Sequence, residues 1–115
     1  MIKTITREEL WSAIDAGEVT VVETLRAEHF EQGHLPGAIH IHYEAVKDKA
    51  RELVPDRNAS IVTYCSNTAC HNSHIAANQL IAMGYTDVRR YLEGKDDWVA
   101  AGLPLETSTP TTGAR

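Results

Sequence analysis

Little in this 115-residue chain is suited to stapling the fold or to crossing a membrane. It has two cysteines, one phenylalanine and four prolines. Two cysteines are too few for the disulfide framework on which small secreted domains rely. No apolar run approaches the ~20 residues that a membrane-spanning helix needs. The opening residues, MIKTITREELW, carry acidic side chains where a secretory leader would have its apolar stretch. Basic residues are outnumbered, 11 against 16 acidic, and the formal net charge is −5. A nucleic-acid surface needs clustered positive charge, so that balance speaks against one. The expectation is a cytoplasmic protein with neither a nucleic-acid nor a membrane partner.

What is present is enough for one domain around one core. The hydrophobic fraction, 43%, is ordinary for a globular chain. Residues 3–5 read as a short strand. Thr6 with Glu9 forms a capping box, which predicts a helix from Arg7 with Leu10, Trp11 and Ile14 on one face and Gly17 as its terminator. Apolar, β-branched runs predict strands at 19–23 and 60–64, and further strands are expected from Ala38 to Ile41 and over 86–91. Helical spacing predicts a short turn over 27–32 and helices over 43–54, 72–84 and 94–102, with Pro55 and Gly84 as stops. Trp11 and Trp98 are assigned to the core. Residues 1–105 form the domain, and the polar stretch 106–115 is expected to be a disordered tail. Strands and helices alternate with short connections. The expected fold is α/β, a central, mostly parallel five-stranded sheet with helices on both faces.

Both cysteines lie in IVTYCSNTACHNSHIAANQL, residues 61–80. Cys65 follows one expected strand and precedes a helix, and open α/β sheets bind ligands beyond the carboxyl ends of their strands. A nucleophilic cysteine must be a thiolate, and at its ordinary pKa it is only about 3% ionised at neutral pH. Lowering the pKa by about two units needs roughly 2.7 kcal/mol, of which a helix N-terminus supplies about 0.3–2. The remainder is expected from loop amides of Ser66, Asn67, Thr68, Ala69, Cys70 and His71, curled into an anion cradle. The bland alternative is that Cys65 is a small core residue at a strand end. Cys70 is either a resolving thiol for Cys65 or a loop residue without a partner. Cys65, Cys70, His71 and His74 are ligand types that zinc accepts, but their spacing departs from compact zinc motifs, and the adjacent Cys70 and His71 point apart. The haem-attachment spacing is absent. No metal and no cofactor is expected. His34, beside the Pro36-Gly37 turn, reads as structural. His40 and His42 share a strand face and could converge with Cys65, but read as a solvent-facing pair; one of Arg89 and Arg90 could face the active-site side, but both read as solvated strand charges.

HFEQGHLPGAIHI (29–41) resembles the signature of rhodanese domains, in which an aromatic residue, Gly-His and Pro-Gly-Ala precede a strand. IVTYCS…AANQLIAMGYTDVRRYLEG…W…AGLP resembles the second half of the same family, and the match runs from about Val21 to Leu105. The resemblance implies an α/β fold with a central parallel sheet. It also implies a sulfurtransferase in which Cys65 takes sulfane sulfur from a donor, thiosulfate or a persulfide, and passes it to a thiophilic acceptor, small molecule or protein. Four departures stand out. The loop has neither the arginine nor the glycine common in such enzymes. The usual Asp-Val-Arg is Glu23-Thr24-Leu25, with Arg26 one step late. The paired glycines are Glu93-Gly94. The loop between Cys65 and Ala76-Ala77 is longer by about two residues. His71 and His74 offer the loop positive charge only when protonated. Phosphatases of this fold place an arginine to clamp phosphate where this chain has His71, which argues against that activity. The alternative to a transferase is a weakly catalytic rhodanese-like module that binds a partner or senses oxidants through Cys65 and Cys70.

Overall fold

The computed structural model describes residues 2–107. Five strands, β1 (Lys3–Thr4), β2 (Thr20–Glu23), β3 (Ile39–His40), β4 (Ser60–Tyr64) and β5 (Asp87–Tyr91), lie in the order β1-β5-β4-β2-β3. Every pairing is parallel. The helices are α1 (Arg7–Asp15), α2 (Ala27–Gln32), α3 (Val46–Leu53), α4 (Asn72–Ala82) and α5 (Gly94–Ala100), with a 3-10 turn at Tyr43–Ala45. Among the described residues no helix is long and apolar enough to cross a membrane.

Strand alternation divides the core between the two sheet faces. Val22, Ile61 and Val88 face α3 and α4, where Val46, Ala50, Ala76 and Leu80 cover them. Val21, Val62 and Tyr64 face the other way, against Leu10 of α1 and Trp98 of α5. Strand β4 is central and buried on both faces, which is why its sequence is a continuous apolar run. The capping box forms: Thr6 Oγ1 accepts from the Glu9 amide and Glu9 Oε1 from the Thr6 amide, each at 3.1 Å.

Several expectations are corrected. Trp11 is 38% exposed and meets Trp98 edge-on at 5.6 Å, because Leu10, one step round the helix, takes the core position. The helix expected over 43–54 is divided between the 3-10 turn and α3, and Leu53 is exposed. His40 is not a solvent-facing residue: its Nε2 lies 2.6 Å from the Leu25 carbonyl and its ring meets Phe30. His34, by contrast, is structural as expected: it is buried and stacked on Phe30 at 3.8 Å, with Nδ1 2.9 Å from the Phe30 carbonyl. Glu106, assigned to the tail, pairs with His34 through two backbone hydrogen bonds of 2.8 Å. Residues 108–115 of the expected tail lie outside the described residues.

Candidate active site

Cys65 leaves the carboxyl end of β4, the central strand, and is 2% exposed. The backbone around it is held from two sides. Thr24 donates to the preceding carbonyl of Tyr64 through both its amide, 3.1 Å, and its hydroxyl, 3.0 Å. The first turn of α5 donates from the Lys95 amide to Cys65 O and from the Asp96 amide to Ser66 O, each at 2.8 Å. This close approach requires Gly94: its φ is +75°, and a Cβ there would sit 2.6 Å from Cys65 O. The residue that stands in place of one of the family's paired glycines is thus Glu93, while the glycine that touches the cysteine is kept.

Beneath this clamp lies a buried polar cluster. Tyr64 donates its hydroxyl to Glu23 Oε1 at 2.7 Å, and Lys95 Nζ pairs with the same oxygen at 2.9 Å. Glu23 is fully buried. Burial and the Glu23 carboxylate push the Tyr64 phenol far above its ordinary range. Lys95 also donates to the His29 carbonyl at 3.0 Å. A cavity of about 260 Å³ opens here, lined by Leu25, His29, Ser66, Lys95 and Leu105 among others. A larger one, about 410 Å³, lies between α3 and the far half of α4, remote from Cys65.

The loop is shaped by Asn67. Its carbonyl accepts from the Cys70 amide at 3.1 Å, its side chain accepts from the Ala69 amide at 3.0 Å, and its Nδ2 ties the loop to Asp96. The amides of Ala69 and Cys70 are therefore spent on a local turn and not on a cradle for sulfur. Thr68 and His71 are exposed. His74 is also exposed and pairs with Asn78 along the outer side of α4. Of the residues expected at the site, Cys65, Ser66 and Cys70 are brought together, Asn67 and Ala69 build the turn, and the histidines face away. Among the described residues no three His, Cys, Asp or Glu side chains form a metal-binding group.

Both cysteines are free thiols. The Cys65 thiol donates to the Cys70 carbonyl at 3.4 Å. Burial, then the Cys70 side chain, pushes the Cys65 thiol up, and Ser73, through amide and hydroxyl, acts against them. Cys70 is half-buried. Burial raises its thiol, but hydrogen bonds from Cys65, the Asn72 amide and Ser66 outweigh it, and the net shift is downward. The two thiols are thus shifted in opposite directions, Cys65 upward and Cys70 downward. The sequence expected the reverse for Cys65, because it did not anticipate how deeply the thiol is buried.

Two residues that the sequence left unassigned to the site stand at the sulfur. Ser73, in the first turn of α4, is 1% exposed, with its Oγ 3.6 Å from Cys65 Sγ. Arg90 of β5 donates from Nε to the same Oγ at 3.1 Å. Arg90 is therefore no solvated edge charge. Arg89 is also tied down, to Ser60. Arg90 pairs in register with Thr63, so it shares a sheet face with Thr63 and Cys65. Thr63 in turn holds the Ser73 carbonyl at 3.0 Å, fixing where α4 begins.

The model of the rhodanese-like domain matches residues 6–101. The chain belongs to the rhodanese-like family. It is 38% identical, over 92% of its length and 46% of the relative's, to the HTH-type transcriptional regulator Rv0324 of Mycobacterium tuberculosis. It is 39% identical to the thiosulfate sulfurtransferase PspE of Escherichia coli, over 53% of this chain and 57% of that one. The chain spans about half the length of these curated relatives. In fold it is similar to the crystal structure of BH2092 from Bacillus halodurans, with a TM-score of 0.84 at 23% identity over 91% of this chain and 77% of that one. The five-stranded parallel sheet with its flanking helices is thus the rhodanese-like fold, and the family includes thiosulfate sulfurtransferases.

Proposed function

We propose that this rhodanese-like protein is a sulfurtransferase whose Cys65 carries sulfane sulfur. The observation that carries the reading is the placement of Cys65: a thiol at the carboxyl end of the central parallel strand, at the first turn of a helix, its backbone clamped by a second helix. In the first half-reaction the Cys65 thiolate attacks the outer sulfur of thiosulfate or of a persulfide. A sulfur–sulfur bond forms to Cys65. The donor's own bond to that sulfur breaks, and sulfite or a thiolate leaves with the electron pair. In the second half-reaction a thiophilic acceptor attacks the outer sulfur of the persulfide, and the Cys65 thiolate is the leaving group. The protein acts in the cytoplasm, where thiols stay reduced, on small-molecule or protein partners, without nucleic acid, membrane or metal.

A second reading is favoured by one observation, the thiol of Cys65 turned toward Cys70. There the pair is a redox element of a weakly catalytic module, closing to a disulfide under oxidants. A panel of sulfur donors and acceptors, run on wild type and on Cys65→Ser, separates the two. Transfer that is measurable in wild type and absent in Cys65→Ser supports the transferase. No transfer with any donor, together with a loss of two hydrogens under mild oxidant, supports the redox module.

A further inference from the structure

The positive charge that the loop lacks reaches the sulfur from another strand. Arg90 stands on β5, and its Nε–H can only donate. Ser73 Oγ must therefore accept from Arg90, and its single proton is left for a different partner. In the resting thiol Cys65 Sγ is the donor, to Ser73 Oγ at 3.6 Å and to the Cys70 carbonyl at 3.4 Å. When Cys65 loses its proton that donation ends, and the Ser73 hydroxyl, whose oxygen still accepts from Arg90, turns its own proton to the anion, in a place from which water is excluded, with Cys65 and Ser73 2% and 1% exposed. A fixed donor in such a place is worth more than one in water. Arg90 forms no ion pair among the described residues, so its charge is not cancelled by a carboxylate.

We propose that Ser73 and Arg90 are the positioning pair of this site: Arg90 holds the Ser73 hydroxyl so that its proton is aimed at the Cys65 sulfur, stabilising the thiolate and the inner sulfur of the persulfide. This rests on the reading of Cys65 as the sulfur carrier and supplies what the missing loop arginine would otherwise do. The other charged or titratable groups around the cysteine are engaged elsewhere or act against ionisation. On the loop, Cys70 opposes the ionisation of Cys65. On α5, Lys95 is paired with Glu23 and Asp96 with Asn67. On α4, His71 and His74 face solvent.

The test is the pH dependence of Cys65 alkylation by iodoacetamide, read peptide by peptide so that Cys70 is scored separately. It uses no sulfur donor, so it stands or falls independently of sulfur transfer. A hydrogen bond to a charged group is worth enough to move a titration by about one unit. Ser73→Ala should shift the Cys65 titration upward by about that much and slow alkylation at neutral pH roughly tenfold. Arg90→Gln should shift it in the same direction by less, and the double variant should match Ser73→Ala alone, because the arginine acts through the hydroxyl. Arg90→Lys keeps the charge but has no Nε–H in that place, and should behave like Arg90→Gln. Ser73→Ala that folds and titrates like wild type overturns the proposal. So does an Arg90→Lys protein that titrates like wild type, or an Arg90→Gln shift that persists in full without the Ser73 hydroxyl. Should Ser73→Ala not fold, the two Arg90 variants decide alone.

Discussion

The backbone of Cys65 and its sulfur lie in surroundings of different kinds. On the backbone side the contacts are short, 2.7–2.9 Å: amides of α5 on the carbonyls, with Gly94 pressed against Cys65 O, and the Tyr64–Glu23–Lys95 cluster beneath. On the sulfur side the contacts are longer, 3.4–3.6 Å, and adjustable, with a half-buried second thiol and an arginine held at one remove. The difference teaches that placing the nucleophile and setting its charge are tasks of separate elements. Substitutions on the backbone side should act on stability, and those on the sulfur side on reactivity.

The largest expected effect lies on the backbone side. Lys95→Met leaves the Glu23 carboxylate buried without its cation, and should cost about 3 kcal/mol or more by urea unfolding. Adding Glu23→Gln should recover most of that loss, since the pair is then removed as a unit. If the single variant is as stable as wild type, the cluster is no anchor. Next comes Gly94→Ala, where the left-handed backbone and the close approach to Cys65 O together should cost at least about 2 kcal/mol.

On the sulfur side, Cys70→Ser should leave stability within about 0.5 kcal/mol of wild type. It should nevertheless speed alkylation of Cys65 at neutral pH, because the Cys70 side chain is among the groups that hold the Cys65 thiol up. An unchanged or slower rate would mean that the Cys70 side chain does not hold the Cys65 thiol up. The smallest effect belongs to the ion pair of Asp97 with Arg7, which touches neither Cys65 nor Ser66. Asp97 is held below the usual carboxylate range by the Tyr91 hydroxyl and by Arg7. Its contribution to stability is therefore full above its unfolded value, near 3.8, and is lost as pH falls through the lower native one. Asp97→Asn should be slightly less stable than wild type at neutral pH, and the gap should close in acid.

Much of this contrast could be read in the sequence on one side only. The strand–cysteine–helix order was legible because IVTY is apolar and β-branched and the residues after it are small and polar. Thr6 and Glu9 announced α1 because a capping box is a local device. What escaped depends on register between strands distant in sequence. Arg90 reaches Ser73 because β5 pairs with β4 so that Arg90 and Thr63 share a face, and no local pattern states that parity. Glu23 was read as the end of a buried strand, yet its partners come from β4 and α5. The amides of Ala69 and Cys70 were misjudged because Asn67 competes for them, a choice of one rotamer that composition does not reveal.

The central claim is that Cys65, not Cys70, holds the transferred sulfur. It is tested most directly by treating the wild-type protein with a stoichiometric sulfur donor, trapping at once with an alkylating agent, and sequencing the loop peptide by mass spectrometry. The account predicts one added sulfur atom on Cys65, with Cys70 alkylated as an ordinary thiol. Sulfur found on Cys70, with Cys65 unmodified, would contradict it and make the readier thiolate the carrier.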